Sequence, residues 1–418
     1  MNAGTAKRGE MLVAGGARFA RSAGWLARLI APGFERIIAR IDAGLDYGRI
    51  TGTLHDGTVR VVGGRGPGPD AVITIHDWRA FLRLVTNGSI GWYQAWEAGE
   101  WSSPDPVPIF DLFMRNASGL GNLGRAKGWF RLAARAGHWL NRNTHEGAQR
   151  NIHAHYDLGN DFYSAWLDPT MTYSSALSGG AARSLEQAQQ AKIAAIAERL
   201  ALSQGAEVLE IGCGWGALSR ALATDHGAQV TAISLSDAQL GWCRDHAGSA
   251  PVRFLKQDYR DTSGQFDAIC SVEMVEALGR EYWPTFMDCI ARNLKPGGRA
   301  AIQYISIRDD LFDAYTASAD FIQAYIFPGG MLIRTSEFKR LAAERGLSWH
   351  DQADFGQDYA ETLRLWRERF DAAVEEDRLP DGFDQHFVDL WRYYLQYCEG
   401  GFRGGGIDVH QVTLVKGE

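Results

Sequence analysis

The stretch Val208-Leu209-Glu210-Ile211-Gly212-Cys213-Gly214-Trp215-Gly216 constrains this 418-residue chain more than any other. Residues of buried-strand character run through one acid into three alternate glycines, and residues 217–224 read as the start of a helix. Glycine has no Cβ to hold a ligand off and tolerates positive φ, so a strand ending in such a turn lets a ligand approach the backbone. The turn suits a nucleotide-like cofactor.

The spacing narrows the choice of cofactor. A dinucleotide fingerprint is G-x-G-x-x-G with an acid about twenty residues on. Here the glycines alternate and the acid, Glu210, lies inside the motif. That is the arrangement of S-adenosylmethionine (SAM) methyltransferases, in which the glycines wrap the methionine part and no pyrophosphate sits on the helix N-terminus. An ordinary tight turn between strand and helix would look similar, but the neighbouring sequence favours the cofactor. A second strand over 229–233 leads into Ser234-Leu235-Ser236 and a helix, and a short strand over 252–255 precedes Gln257-Asp258-Tyr259. Strand ends at those intervals are where a doubly wound sheet binds its ligand.

Around this centre the chain divides in two, as its length leads one to expect. The first part reads as a small α+β module: an amphipathic helix over 17–30, strands over 48–62 and 71–75, a helix over 78–86 and an aromatic segment over 90–101. A basic helix over 124–142 joins it to the rest. From residue 151 strands and helices alternate, with a helix over 184–202, further strands over 267–272 and 299–305, and a helix over 282–293. Such alternation implies a parallel sheet with helices on both faces. An insertion at 306–335 is rich in apolar and aromatic residues, among them Phe321, Tyr325 and Phe327. A methyltransferase of small polar substrates would have little use for it.

Five cysteines, odd in number and without a CxxC pair, indicate neither a disulfide framework nor a zinc site. They fit a reducing cytoplasm. No apolar run approaches the roughly 18 residues of a membrane span. The net charge of −7 hides an asymmetry: of 43 Lys+Arg and 50 Asp+Glu, residues 1–150 hold 19 and 12, leaving 24 and 38 for the remainder. A basic first third on an acidic protein suggests an anionic partner surface, lipid headgroups or nucleic acid.

Taken together, seven segments resemble the cyclopropane-fatty-acyl-phospholipid synthase family. They are residues 155–161, Tyr173-Ser174-Ser175, residues 210–216, Gln257-Asp258-Tyr259-Arg260-Asp261, Glu273-Met274-Val275-Glu276-Ala277, Tyr325-Ile326-Phe327-Pro328-Gly329-Gly330 and residues 394–403. The likeness is close over 150–418 and loose over the first third. It implies a Rossmann-like class I SAM methyltransferase α/β sheet with helices on both faces, plus a smaller N-terminal α+β domain. The implied boundaries are a basic lipid-interacting domain at 1–123, a helical linker at 124–150 and the methyltransferase domain at 151–418.

The implied reaction transfers the SAM methyl group to a cis double bond in an acyl chain of an unsaturated phospholipid and closes a cyclopropane ring. The same transfer without ring closure, giving a methyl- or methylene-branched chain, is the alternative. The resemblance assigns a bound bicarbonate to Ser175, Glu276, Gln303, Tyr359 and the backbone of Ile305, as the base that takes the proton. Ser175 and Gln303 stand where the commonest bacterial pattern has Cys and His. For SAM it assigns Tyr173 and Ser174 near the methionine carboxylate, Gly212, Gly214 and Gly216 to the methionine wrap, Ser234 and Gln239 to the ribose, and Asp258 and Tyr259 to the adenine edge, together with Glu210 and Leu235. The rings of Phe321, Tyr325 and Phe327 are expected to meet the acyl chain, where aromatic faces can stabilise a cation by about 2 kcal/mol each when desolvated.

Expected partners are unsaturated phospholipids at the membrane surface, with no metal and no nucleic acid; a homodimer and a downstream lipid-modifying enzyme are admitted. The expected location is cytoplasmic, peripheral at the inner membrane surface. A nucleic-acid methyltransferase would also explain the basic first third, but the chain has no Asn/Asp-Pro-Pro-Tyr segment and no Pro-Cys dipeptide. A lipid carrier without catalysis is the non-enzyme alternative.

Overall fold

Neither of the chain's two units is a single stretch of sequence. The computed structural model describes residues 31–121, 158–180 and 183–418, together with Arg8. The helices expected over 17–30 and 124–142, the linker at 124–150 and the cluster His155-Tyr156-Asp157 lie outside the described residues. The first unit gathers Met1–Asn141, Arg308–Pro328 and Phe383–Ile407, and the second gathers Arg142–Ile307, Gly329–Gly382 and Asp408–Glu418. This differs from the contiguous boundaries expected from sequence: most of the apolar insertion, and a late helix, belong with the N-terminal segments.

The first unit holds a four-stranded sheet of β1 (Tyr47–Thr53), β2 (Val59–Gly63), β3 (Gly66–Ile75) and β4 (Trp101–Ser102), in the order β2-β1-β3-β4. The single strand expected over 48–62 is two, because His55-Asp56-Gly57 turns the chain. Asp56 Oδ1 accepts from the Thr58 amide at 2.9 Å, and the Gly57 amide reaches back to the Leu54 carbonyl at 2.8 Å. The two segments expected over 78–86 and 90–101 form one helix, Arg79–Glu97, kinked at Gly88, where φ is 61°.

The helix Gln385–Arg403 completes this core. Asp384 caps it by accepting the Phe387 amide at 3.0 Å. Phe387, Leu390, Trp391 and Tyr394 then recur at helical spacing and are buried. It packs on the helix Val107–Arg115 through Gly400, where a Cβ would lie 2.4 Å from Phe110 Cβ. The insertion supplies the helix Asp309–Thr316 and the turn Ile322–Ile326 to the same core. Its ring Phe321 lies 4.9 Å from Tyr93 and 4.9 Å from Tyr393, and Tyr325 lies 4.7 Å from Tyr93. The apolar character of the insertion is thus largely accounted for by burial inside the first unit.

The second unit is built on a seven-stranded sheet. Its strands are β5 (Glu207–Ile211), β6 (Gln229–Ser234), β7 (Val252–Lys256), β8 (Phe266–Val272), β9 (Leu294–Ile307), β10 (Leu347–Asp354) and β11 (Ile407–Lys416), in the order β10-β11-β9-β8-β5-β6-β7. The pairs β5–β6, β5–β8, β6–β7 and β8–β9 are parallel, and β10–β11 is antiparallel. Val208, Leu209, Ala232, Ile269, Cys270 and Ala301 are buried, as strands covered by helices on both faces require. The helix Leu185–Leu200 opens with a reciprocal cap: the Gln187 amide donates to Ser184 Oγ at 3.2 Å and the Ser184 amide to Gln187 Oε1 at 3.1 Å. The Rossmann-like α/β class expected from sequence is the architecture observed.

Gly400→Val should destabilise the first unit by about 1–3 kcal/mol through overpacking against Phe110. Urea unfolding followed by tryptophan fluorescence reads it; a midpoint equal to that of the parent protein would refute the helix contact.

Candidate active site

The glycine turn after β5 is set by backbone bonds to the next strand. The Gly212 and Cys213 amides both donate to the Ile233 carbonyl, at 3.0 and 3.1 Å. Gly212, Gly214 and Gly216 have φ of 83°, 52° and 80°, where side chains are strained. A Cβ at Gly212 would come 3.1 Å from Met274 Cγ and one at Gly216 3.0 Å from Cys243 Sγ, whereas one at Gly214 would meet no atom of the described residues within 4 Å. Among the described residues Gly214 therefore borders space that a ligand can enter. Glu210 accepts from the Ser219 hydroxyl, and burial pushes its carboxyl up to about 7.

The remaining residues expected to hold SAM lie mainly at neighbouring strand ends. Ser234 Oγ donates to Gln239 Oε1 at 3.0 Å and accepts the Ser236 amide at 3.2 Å, with Gln239 buried and half-buried Leu235 beside them. Asp258 caps the turn Tyr259–Asp261 and pairs with Arg260 at 2.6 Å. Tyr259 is buried, and its hydroxyl has no partner among the described residues. Tyr173 is half-buried, with Tyr163 at 5.4 Å, Trp166 at 5.7 Å and Trp366 at 5.2 Å. Ser174 Oγ accepts from Lys192 Nζ at 2.7 Å, a buried lysine that the sequence reading did not single out.

The residues expected to hold bicarbonate do converge, but on the chain's own carboxylates. Glu273 Oε1 accepts the Ser175 amide at 2.8 Å and Gln303 Nε2 at 2.7 Å, and its Oε2 accepts the Tyr359 hydroxyl at 2.8 Å. The Ile305 amide donates to Glu276 Oε1. The Ser175 hydroxyl donates to the Ala176 carbonyl at 3.0 Å. With these donors engaged, the set does not fit an added bicarbonate, and Glu273 takes the central place. Sequence reasoning passed over Glu273. The available signal was two carboxylates three residues apart just beyond the end of β8; the signal withheld was its backbone, with φ of 48°.

The two acids are driven apart in character. Each residue keeps some accessible surface while its carboxyl group is enclosed. Burial raises both. Glu273 is drawn back by the Ser175 amide, by Gln303, by the Lys192 charge and by Tyr359. Glu276 has one donor and feels the Glu273 charge, and burial followed by that repulsion takes it up to about 8. Its Oε2 is buried without a partner among the described residues. At neutral pH Glu276 is mainly the protonated acid, and Glu273 is the better supported carboxylate of the pair.

Phe321, Tyr325 and Phe327 stand in the first unit. Tyr325 accepts from Gln94 Nε2 at 3.2 Å, while Phe327 is half-buried with Tyr394 6.3 Å away.

Comparison with known proteins decides the family. A family profile described as mycolic acid cyclopropane synthetase matches residues 143–412. The chain belongs to that family. It is 37% identical over 80% of its length to tuberculostearic acid methyltransferase UfaA1 of Mycobacterium tuberculosis, covering 80% of that protein. It is 36% identical over 81% of its length to the cyclopropane-fatty-acyl-phospholipid synthase of Escherichia coli K12, covering 86% of that one. Among solved structures, mycolic acid cyclopropane synthase CmaA1 in complex with SAH and CTAB matches with a TM-score of 0.60 at 28% identity, over 64% of this chain and 98% of that one.

This member of the mycolic acid cyclopropane synthetase family is therefore a SAM-dependent methyltransferase. The open ground beside Gly214 is the structural feature that fits the cofactor.

Gly214→Ala should weaken binding of S-adenosylhomocysteine (SAH) at least about tenfold while costing about 1–2 kcal/mol of stability. Isothermal calorimetry reads the first and denaturant unfolding the second; unchanged affinity would refute the cradle.

The raised carboxyl of Glu276 also makes a stability signature. Between its ordinary value of 4.5 and about 8 the folded protein holds a proton there that the unfolded chain has released, so this group lowers stability as pH climbs. Glu276→Gln should therefore gain on the parent protein progressively over that window and run parallel above it. Urea midpoints across pH check this; a constant offset would show that Glu276 titrates normally.

Proposed function

We propose that this protein transfers the SAM methyl group to a cis double bond in the acyl chain of an unsaturated phospholipid, and that Glu273 accepts the proton lost afterwards. The observation that carries this reading is the convergence of the Ser175 amide, Gln303 and Tyr359 on the Glu273 carboxylate. The names of relatives acting on fatty acyl substrates support the substrate class.

The cofactor, when bound, supplies an electrophilic methyl carbon. The alkene π pair forms the new carbon–carbon bond as the methyl–sulfur bond breaks, its electron pair staying with the sulfur of the departing SAH, and a cation is left on the acyl chain. Holding the reacting groups in line lowers the barrier by roughly 7–11 kcal/mol at best. The Glu273 carboxylate then takes a proton, and the C–H electron pair it leaves quenches the cation. A proton taken from the transferred methyl group closes a cyclopropane. One taken from the same methyl group, after a hydride shift has moved the cation beside it, leaves a methylene branch. Ring closure is the reading we adopt, and the branched product is kept because UfaA1, similar over most of this chain, is a tuberculostearic acid methyltransferase.

In this reading Glu276, protonated at neutral pH, does not compete with Glu273 as the base. Of the rings of the insertion, Phe321 and Tyr325 are buried in their own core and Phe327 is half-buried. The basic first third is the part assigned to anionic headgroups, which supports a peripheral location at a membrane surface. No helix among the described residues is long and apolar enough to cross one.

The test is incubation with isotopically labelled SAM and vesicles of unsaturated anionic phospholipid, followed by mass spectrometry of the released fatty acids. The expected product is heavier by one CH2, and its resistance to mild diimide reduction marks a ring. Uptake of two hydrogens marks a methylene branch. Glu273→Gln should lower turnover by at least about 100-fold, in the range of a lost general base, with SAH affinity retained. Vesicle binding should fall as salt rises. Wild-type turnover in Glu273→Gln would sink the role given to that carboxylate.

A further inference from the structure

Lys192 is a buried ammonium whose charge favours the Glu273 carboxylate but whose hydrogen bond goes elsewhere. It rises from the helix Leu185–Leu200, is 2% exposed and donates to Ser174 Oγ at 2.7 Å, its only hydrogen bond among the described residues. From the same helix, three residues earlier, Gln189 Nε2 donates to the Ser174 carbonyl at 2.9 Å. Ser174 is thus gripped at its hydroxyl and its backbone by two side chains of one helix face.

An ammonium has donors and no acceptor, so Ser174 Oγ must accept from it and turn its own hydrogen elsewhere. No acceptor for that hydrogen is present among the described residues. We propose that Lys192 is a positioning residue that fixes the Ser174 hydroxyl as a donor aimed at the carboxylate of the methionine end of SAM, and that its charge offsets that carboxylate. The proposal rests on the reading that puts the methionine end at Ser174.

Charge agrees with geometry. Burial lowers the Lys192 ammonium to about 8, and the charges of Glu273, Asp168 and Glu210 oppose the fall, so it stays mainly protonated at neutral pH. A buried charge of this kind is costly unless something uses it. A hydroxyl polarised by an ammonium on its oxygen is also a stronger donor than a free serine.

The experiment compares SAH with 5′-methylthioadenosine, which has the adenosine and the thioether but no amino-acid end. Isothermal calorimetry on the full chain should show the SAH dissociation constant rising about tenfold or more in both Ser174→Ala and Lys192→Met, with methylthioadenosine changed less than about twofold. The double variant should lose more than Ser174→Ala alone, because the Lys192 charge goes too, but less than the two single losses combined, and Lys192→Arg should restore most of the SAH affinity. If Ser174→Ala shifts the ratio of the two affinities and Lys192→Met does not, the relay is wrong. If neither shifts it, the placement of the methionine end is wrong.

Where Lys192→Met does not fold by circular dichroism, the wild-type protein and Lys192→Arg decide. A carboxylate arriving next to a lysine that titrates near 8 draws a proton onto it. SAH binding near that pH should therefore take up more protons in the wild type than in Lys192→Arg, read by calorimetry in buffers of different ionisation enthalpy. Equal uptake would overturn the proposal.

Discussion

A carboxylate shut away from bulk water, with donors converging on it from three separate segments, organises the second unit. Ser175 precedes the helix Leu185–Leu200, Gln303 lies on β9 and Tyr359 on the helix Gly356–Glu375, and all three meet at Glu273. Hydrogen bonds to a charged group contribute about 1.5–3 kcal/mol each, and removing the acceptor would leave several buried donors unmet. Gln303 cannot turn its amide round to serve another partner, because its Oε1 accepts from Gln411 Nε2 on β11 at 3.0 Å. The order of the sheet edge is thereby tied to the orientation of the acid.

A second polar chain crosses the same strands. His410 on β11 meets Ser306 Oγ on β9 at 2.7 Å with one ring nitrogen and Asp354 Oδ1 on β10 at 2.6 Å with the other. With both nitrogens occupied, the ring fixes the register of three neighbouring strands. Its partner Ser306 directly follows Ile305, whose amide holds Glu276. Gln303, Ile305 and Ser306 of β9 serve both the sheet edge and the acid pair, so the geometry that sets the two acids apart in character is inherited from the strand itself.

The parts of this arrangement that could be read in the sequence are those encoded locally. The turn after β5, the strands β6, β7 and β8 and the helix Leu185–Leu200 announce themselves through glycine spacing and the period of their apolar residues. The strands β10 and β11 do not. Most of β10 is exposed or half-exposed, with no alternation to mark it, and the buried run within β11 gives no period that distinguishes strand from helix. Glu273 and Lys192 escaped for a different reason: each acquires its role from residues distant in sequence, and a left-handed backbone at a glutamate is imposed by the fold. The insertion was recognised as apolar, but nothing in its composition says which of two cores it feeds.

The scattering of the first unit along the chain bears on how the molecule is made. A chain leaving the ribosome exposes residues 31–121 long before the helix Gln385–Arg403 exists to cover Phe110 and Tyr93. Those apolar surfaces must wait for partners made much later in the chain, and waiting surfaces of that kind invite aggregation and chaperone capture. A premature stop shortly before residue 383 would therefore spare the residues of the glycine turn and the acid pair yet leave the N-terminal core unfinished.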